Sequence, residues 1–344
     1  FLTWENDWGG FDGNINARSW LWQPFVEWSA RLFPKLDFTA GLHGTWFTFN
    51  RTGSAEPRLA LQFSPNARRR FSFSASLHSQ LQPYPLYLAS NLAGDTPNRN
   101  LGLSKAAHFV ASWRQILGKS LIFNTEVYFQ RLLDVPVSSD PGNSFSTLNL
   151  TEIFRRTDWQ QVEKLTNKGI AKNYGIDLSL QKFILDRYYF LLAASAFRSK
   201  YTPADGIERP TRFDNRYVFN LTGGREFSKT KGEKVRVKGI NARFVWLGGN
   251  PATPIDIEAS AEQGFTIFKE NEAYTLRQPD YLRLDLRFYL KWNKTGRNST
   301  LSLDIQNATN RKNVAYDYFD TLQQRVVRKR QLGFIPILSY RIEF

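Results

Sequence analysis

Apolar and polar residues alternate with a period of two over most of this chain, which is the signature of β-strands whose two faces meet different surroundings. Leu59, Leu61 and Phe63 point one way while Arg58, Gln62 and Ser64 point the other. In the next segment Phe71, Phe73, Ala75 and Leu77 oppose Ser72, Ser74, Ser76 and His78. Read this way, the chain predicts hairpins over 14–32 with 36–50, 56–64 with 70–80, 105–117 with 120–134, 172–183 with 187–201, 215–227 with 234–248 and 280–292 with 298–309, then a single strand over 330–344. Parity slips near Gly239, which predicts a bulge. The segments are long enough for tilted strands to cross a bilayer, which takes about 9–11 residues.

Within each hairpin the turn is short, whereas long connections are expected near 81–104, 135–171, 202–214, 249–279 and 310–329. Short turns alternating with long loops are the asymmetry of an antiparallel transmembrane β-barrel of the bacterial outer membrane. The last residues fit that reading. Leu338, Tyr340, Ile342 and Phe344 share one face, Ser339, Arg341 and Glu343 the other, and the chain closes on an aromatic residue. The thirteen predicted strands are an odd number, whereas single-chain bacterial barrels are usually even. Residues 3–7 are too short a segment, too close to glycines, to supply another strand. The expectation is therefore that 1–344 is one barrel domain and the later part of a larger barrel, an open sheet with unpaired edges at 14–32 and 330–344.

Composition sharpens this picture. Aromatic residues make up 15% of the 344 residues, yet mean hydropathy is −0.44, as expected for strands that are half lipid-facing and half water-facing. No apolar run of about 18 residues is present, so transmembrane helices are excluded. The chain opens FLTWENDWGG, without a basic and then apolar leader, and contains no Met. A processed chain or an excerpt is expected. The absence of Cys removes disulfides, zinc clusters and thiol nucleophiles.

A net charge of +15 raises the question of nucleic acid, but the cations are scattered, with runs only at 68–70 and 325–330, and no nucleic-acid motif accompanies them. No nucleic-acid partner is expected. His43, His78 and His108 are far apart in sequence and show no metal spacing, and neither a phosphate loop nor a nucleophile elbow occurs, so no cofactor, metal or catalytic residue is assigned. An enzyme at the barrel rim, using for example His78, is the least favoured alternative.

Several segments carry a family resemblance: LGFIPILSYRIEF at the end of the chain, SLDIQNATNRKNV (302–314), NKGIAKNYGIDLSLQKF (167–183), TRFDNRYVFNLTGG (211–224), EPRLALQFSPN (56–66) and LDVPV (133–137). In this order and spacing they resemble the barrel of a TonB-dependent outer-membrane receptor, most of all the Bacteroidetes type whose members often carry a carboxypeptidase-regulatory-like domain. The resemblance covers almost the whole chain. It implies a barrel of twenty-two strands around a plug, and uptake across the Gram-negative outer membrane of a scarce nutrient such as a ferric chelate or glycan. It also implies engagement of TonB through an N-terminal segment with no counterpart here, a setting of outer-membrane lipids and lipopolysaccharide, and in some members a surface lipoprotein partner. Tyr340, Ile342 and Phe344 would then be the signal read by the barrel-assembly machinery. A self-contained porin or adhesin-type barrel is the alternative.

The expected lumen-facing residues are Arg283, Asp285, Arg287, Tyr289 and Lys291, opposite Leu282, Leu284, Leu286, Phe288 and Leu290, with Asp304 and Gln306 on the neighbouring strand. Arg or Lys facing lipid at the midplane costs about 2–4 kcal/mol, which places this face inside. These charges either contact plug, permeation path or substrate, or pair with one another, as Asp285 would with Arg283 or Arg287. The cationic excess favours an anionic substrate. Gly175, and the group Arg212, Asp214, Asn215 and Arg216, are read as strand-crowding relief and a polar network at a strand mouth. Trp20, Trp22, Trp28, Tyr84, Tyr87, Trp113, Tyr188, Tyr189, Trp246 and Trp292 are candidates for interfacial girdles. Trp159, Tyr316, Tyr318 and Phe319, like Tyr84 and Tyr87, either pack within loops or stack on a ligand.

Overall fold

The computed structural model describes residues 19–88, 95–150, 164–184, 187–232, 234–294 and 296–344. One antiparallel sheet of fifteen strands makes up its body, with strands adjacent in sequence adjacent in the sheet. Those that run its height are β1 (Phe25–Phe33), β2 (Leu36–Phe47), β3 (Thr52–Asn66), β4 (Arg69–Gln80), β5 (Ser104–Leu117), β6 (Leu121–Ser138), β7 (Leu165–Lys182), β8 (Tyr188–Thr202), β9 (Tyr217–Lys231), β10 (Lys234–Leu247), β11 (Tyr281–Lys294), β12 (Arg297–Gln306) and β13 (Ile335–Glu343). The remaining two are short. Leu21–Trp22 continues β1 along the same edge of β2, and Arg209–Pro210 pairs with the end of β8. The expected start of the first strand at Asn14 lies outside the described residues.

Register turns the alternation into two unlike faces. Phe63, Phe71 and Trp113 stand side by side across β3, β4 and β5, as do Leu61, Phe73 and Ala111. The intervening rungs are polar, for example Gln62, Ser72 and Ser112. A slip of one residue would exchange the faces, so the pattern fixes the pairing. The apolar face is left uncovered, with Phe73 50% and Val127 54% exposed, which suits a lipid solvent and no other. Aromatic rings run along it, with centroids 6.2 Å apart for Phe71 and Trp113 and 5.4 Å for Trp113 and Phe123. No helix among the described residues is long and apolar enough to cross a membrane.

β7 gives the height of the apolar band. On its apolar face Tyr174, Ile176, Leu178 and Leu180 lie between Lys172 and Lys182. The ten residues from one lysine to the other, at about 3.3 Å each and tilted roughly 40°, rise about 25 Å, the thickness expected of such a band.

The structure corrects several expectations. Gly239 is not a bulge, because both ladders run through it without a break, Glu226 to Gly239 to Tyr289. The apparent slip is the membrane boundary: beyond Ile240 the apolar face of β10 ends and Lys238 and Arg236 take its place. Glycine is required there because a Cβ would lie 2.1 Å from Cζ of Tyr289, whose ring covers the position and whose hydroxyl donates to Glu226. Gly239→Val is therefore expected to lower the folded fraction, by about 1–3 kcal/mol as for other overpacked sites. Heat-modifiable electrophoretic mobility would show it, and adding Tyr289→Ala should restore folding.

The 135–171 connection is shorter than expected, because β6 and β7 extend to Ser138 and back from Leu165. Register shifts between Leu132 and Val137 hid this extension from a period-two reading. Residues 325–330 belong to a separate loop hairpin, Val314–Asp320 with Arg325–Arg330, and the last strand begins at Ile335. β2 and β3 are joined by only 48–51, so one connection at the long-loop end is a tight turn. Among the described residues β13 pairs with β12 alone and the first edge pairs with β2 alone, leaving the sheet open.

Candidate functional site

Alternation on β11 places Arg283, Asp285, Arg287, Tyr289 and Lys291 on the polar face, where Asp304 joins them as the ladder partner of Arg287. Several of these side chains satisfy one another. Arg283 Nε lies 2.6 Å from Asp285 Oδ1, and its Nη2 donates to Gln306. Arg287 lies 3.4 Å from Asp304. Lys291 sits over the Tyr289 ring, 5.0 Å from its centroid, and Arg243 stands opposite Asp285. The pairing of Asp285 is with Arg283. Gly175 has a similar structural reason, since a Cβ there would meet Ala196 O and Phe197 Cβ at 2.7 Å.

A second group on this face was not legible from the sequence. Register sets His43 of β2 opposite Glu56 of β3, and Nδ1 of His43 lies 2.9 Å from the carboxylate. Glu56 is 2% exposed and also accepts from Thr45, Ser79 and Arg58. Beside it His78 bonds Ser76, and its ring centroid is 4.9 Å from that of His108. Histidines dispersed in sequence thus share one polar patch. Among the described residues no set of three or more His, Asp or Glu side chains is arranged to hold a metal.

At the long-loop end the connections lock together. Asp214 is fully buried; it accepts from the Ser199 backbone N–H at 2.8 Å and from Arg277 at 3.2 Å, with Arg198 at 3.4 Å. Arg277 donates also to the carbonyls of Asp214 and Gly249. Burial, with Arg216 nearby, lowers the Arg277 pKa against the pull of Asp214. Arg212 fastens to Asn149, and Asn215 to Gly248 and Asn250, so the expected network at the strand mouth exists and reaches farther than its own loop. Arg209 is 5% exposed, pairs with Asp205 and donates to Asn271 O, while Ser144 donates to Glu270 O. A short helix, α1 (Ile257–Gln263), is capped by Asp256 and closed by Gly264 at φ 74°. Asp280, which precedes β11, accepts from Tyr217 and Trp246, and these bonds hold its carboxyl below the usual range.

Aromatic side chains divide by location. Tyr87 is 1% exposed and packs with Phe47, Leu86, Leu101 and Leu165 in a loop core, its hydroxyl accepting from Gln82 N–H, so it is neither a girdle residue nor a free stacking platform. Phe319 is also buried, and its N–H donates to Thr266. Tyr189 lies on the polar face and bonds Asn241. Trp113 and Trp246 lie on the apolar face; Tyr84 and Tyr316 remain exposed; Trp159 lies outside the described residues.

The ladder, its two faces and its locked loops define an outer-membrane β-barrel wall. A family model, "TonB dependent receptor-like, beta-barrel", matches residues 3–308, and the chain belongs to that family. Solved structures agree in fold. The outer membrane transporter YddB from Escherichia coli superposes with a TM-score of 0.62 at 13% identity, covering 92% of this chain and 44% of that one. The ferric yersiniabactin uptake receptor FyuA from Yersinia pestis gives 0.60 at 13%, covering 95% and 46%. The ferripyoverdine receptor of the outer membrane of Pseudomonas aeruginosa gives 0.63 at 11%, covering 97% and 40%. The chain thus spans less than half the length of these proteins. A search of curated proteins found no match.

Proposed function

We propose that this chain is wall and loop cap of a TonB-dependent receptor that takes up a scarce nutrient, with an anionic ferric chelate favoured over a glycan. The observation that carries the reading is the loop cap. Arg209, Arg212 and Arg277 hold connections far apart in sequence in one arrangement at the mouth of a wall with a charged inner face. Preorganised loops lower the entropic cost of capturing a dilute ligand, and the net charge of +15 favours an anionic one. Iron-chelate receptors among the structural neighbours support the same reading.

In this proposal the polar face, with Arg283, Asp285, Arg287, Lys291 and Asp304, lines the lumen and meets a plug supplied, like the TonB-binding segment and the strands that close the sheet, by residues outside this chain. The open sheet and the partial coverage of the neighbours favour it. Tyr340, Ile342 and Phe344 serve the barrel-assembly machinery, lipopolysaccharide and other lipids surround the wall, and a surface lipoprotein is a partner over the cap. The likeness of the sequence to the Bacteroidetes type belongs to this proposal.

The test is uptake of radio-iron chelates by cells with and without the receptor gene, each with TonB present or deleted. Loss of uptake in either deletion is expected. Uptake that ignores both would overturn the reading, and ion conductance by the purified protein without TonB would point to a porin.

A further inference from the structure

The histidine patch of the polar face contains a pair that hydrogen bonding does not account for. His43 is committed to Glu56 through Nδ1, and Glu56 also accepts from Thr45, Ser79 and Arg58. His78 bonds Ser76 through Nε2 alone. Its Nδ1, and both ring nitrogens of His108, have no hydrogen-bond partner among the described residues. Both side chains are half-buried, on the face of the wall that also carries Arg58 and Gln130.

Register explains how the two rings meet. His78 stands opposite Ala106 and His108 opposite Ser76, so the histidines are diagonal neighbours on β4 and β5, each across from a small side chain. Diagonal neighbours of this kind are about 7–8 Å apart at the backbone. The ring centroids are only 4.9 Å apart, with the planes at 56°, so the rings lean together over the space that Ala106 and Ser76 leave. An imidazole nitrogen binds a transition metal at about 2.0–2.1 Å, so two rings on one ion have centroids about 4.5 Å apart at a right angle and about 5.2 Å apart at a tetrahedral one. The separation of His78 and His108 falls between these two values.

We propose that His78 and His108 form a site for a divalent transition-metal ion, Cu²⁺ ahead of Ni²⁺ and Zn²⁺, whose other positions stay open to water or to the donors of a chelator. Imidazole is a ligand these ions share, and Cu²⁺ leads their order of affinity. A closed structural site takes four protein ligands, and among the described residues no third ligating side chain completes this one. The ion therefore exchanges and is not built into the fold. Glu56 supplies a negative charge close to His78, while Arg58, 3.3 Å from that carboxylate, opposes the incoming cation. The site stands on the geometry of β4 and β5 and does not depend on what the receptor takes up.

The test titrates the full receptor, purified in detergent without a polyhistidine tag, with Cu²⁺ and follows it by electron paramagnetic resonance. Wild type is expected to bind one Cu²⁺, with splitting from two nitrogens, that the double variant His78→Gln, His108→Gln does not bind. Losing an outer-shell partner of a metal ligand already costs about 10–100-fold in affinity, so either single variant should weaken this binding at least about tenfold. His43→Gln leaves the pair intact and should bind as wild type does, and Arg58→Gln, which removes a like charge, should bind severalfold more tightly. Equal Cu²⁺ binding by wild type and the double variant would overturn the proposal. Weakening by His43→Gln as large as that by His108→Gln would overturn the assignment to this pair. Folding is checked by heat-modifiable mobility. Should the variants fail to fold, carbethoxylation of wild type read by mass spectrometry takes their place: Cu²⁺ should shield His78 and His108, and unchanged reactivity of both would overturn the site. None of these readouts involves TonB or uptake, so failure of the site and failure of the uptake reading are separate results.

Discussion

Replacing Asp214 by alanine is expected to release the loop cap while leaving the sheet folded. Asp214 is the single buried carboxylate on which Arg277, Arg198 and the Ser199 N–H converge. Removing one member of a buried, hydrogen-bonded ion pair costs about 3–5 kcal/mol, because the partner is left desolvated without its counter-charge. Arg277 and Arg198 keep partial access to water, which places the expected loss at the lower end, about 3 kcal/mol, or roughly a hundredfold more frequent opening. Arg277 would retain its carbonyl bonds to Asp214 and Gly249, so the damage should be local. Hydrogen exchange should accelerate through 202–216 and 249–280, while β9 and β10 keep their protection. Asp214→Asn preserves an acceptor for Ser199 and removes only the charge, so its effect should be smaller. If exchange in 249–280 is unchanged in the alanine variant, Asp214 does not hold the cap. On the uptake reading the same variant should also weaken capture of the chelate more than it reduces the amount of folded receptor.

Strand positions were readable in the sequence because the two solvents of a barrel wall impose a sharp period of two. Phe71, Phe73, Ala75 and Leu77 against Ser72, Ser74, Ser76 and His78 needed no knowledge of partners to be assigned to opposite faces, and the ladder bears this out. What the alternation does not encode is register at irregular places. Asp134 adopts φ 56° beside the shifted rungs of β6 and β7, and the strand beyond it looked like loop. At Gly239 the alternation itself misled, since polar residues move onto the outward face wherever a strand leaves the membrane, and this mimics a bulge. The loop clamps were legible only in part. Arg212, Asp214 and Asn215 stood out as a polar cluster, but Arg277, sixty-three residues from Asp214, carries no local mark of its role. The patch of His43, Glu56, His78 and His108 is likewise a product of register across β2 to β5.

Substituting Leu178 by arginine should destabilise the receptor strongly, whereas the same change at the next residue, Ser179, should be tolerated. Leu178 lies near the middle of the band bounded by Lys172 and Lys182, with Thr125 and Ala194 as ladder neighbours on the apolar face. An arginine there must hold its guanidinium in hydrocarbon or deform the bilayer to reach water, at about 2–4 kcal/mol for a midplane position. Ser179 projects to the other side, where it bonds Asn124 at 3.1 Å. Two residues along that face Asp177 stands directly opposite Glu126, a like-charged pair that an added cation would relieve. Ser179→Arg should therefore change stability by less than about 1 kcal/mol. Chemical unfolding of both variants in lipid bilayers measures the difference. Equal loss in the two would mean that the faces have been assigned wrongly. A large loss for Leu178→Arg alone fixes the outward side of β7 and, through the continuous ladders, the outward side of β6 and β8.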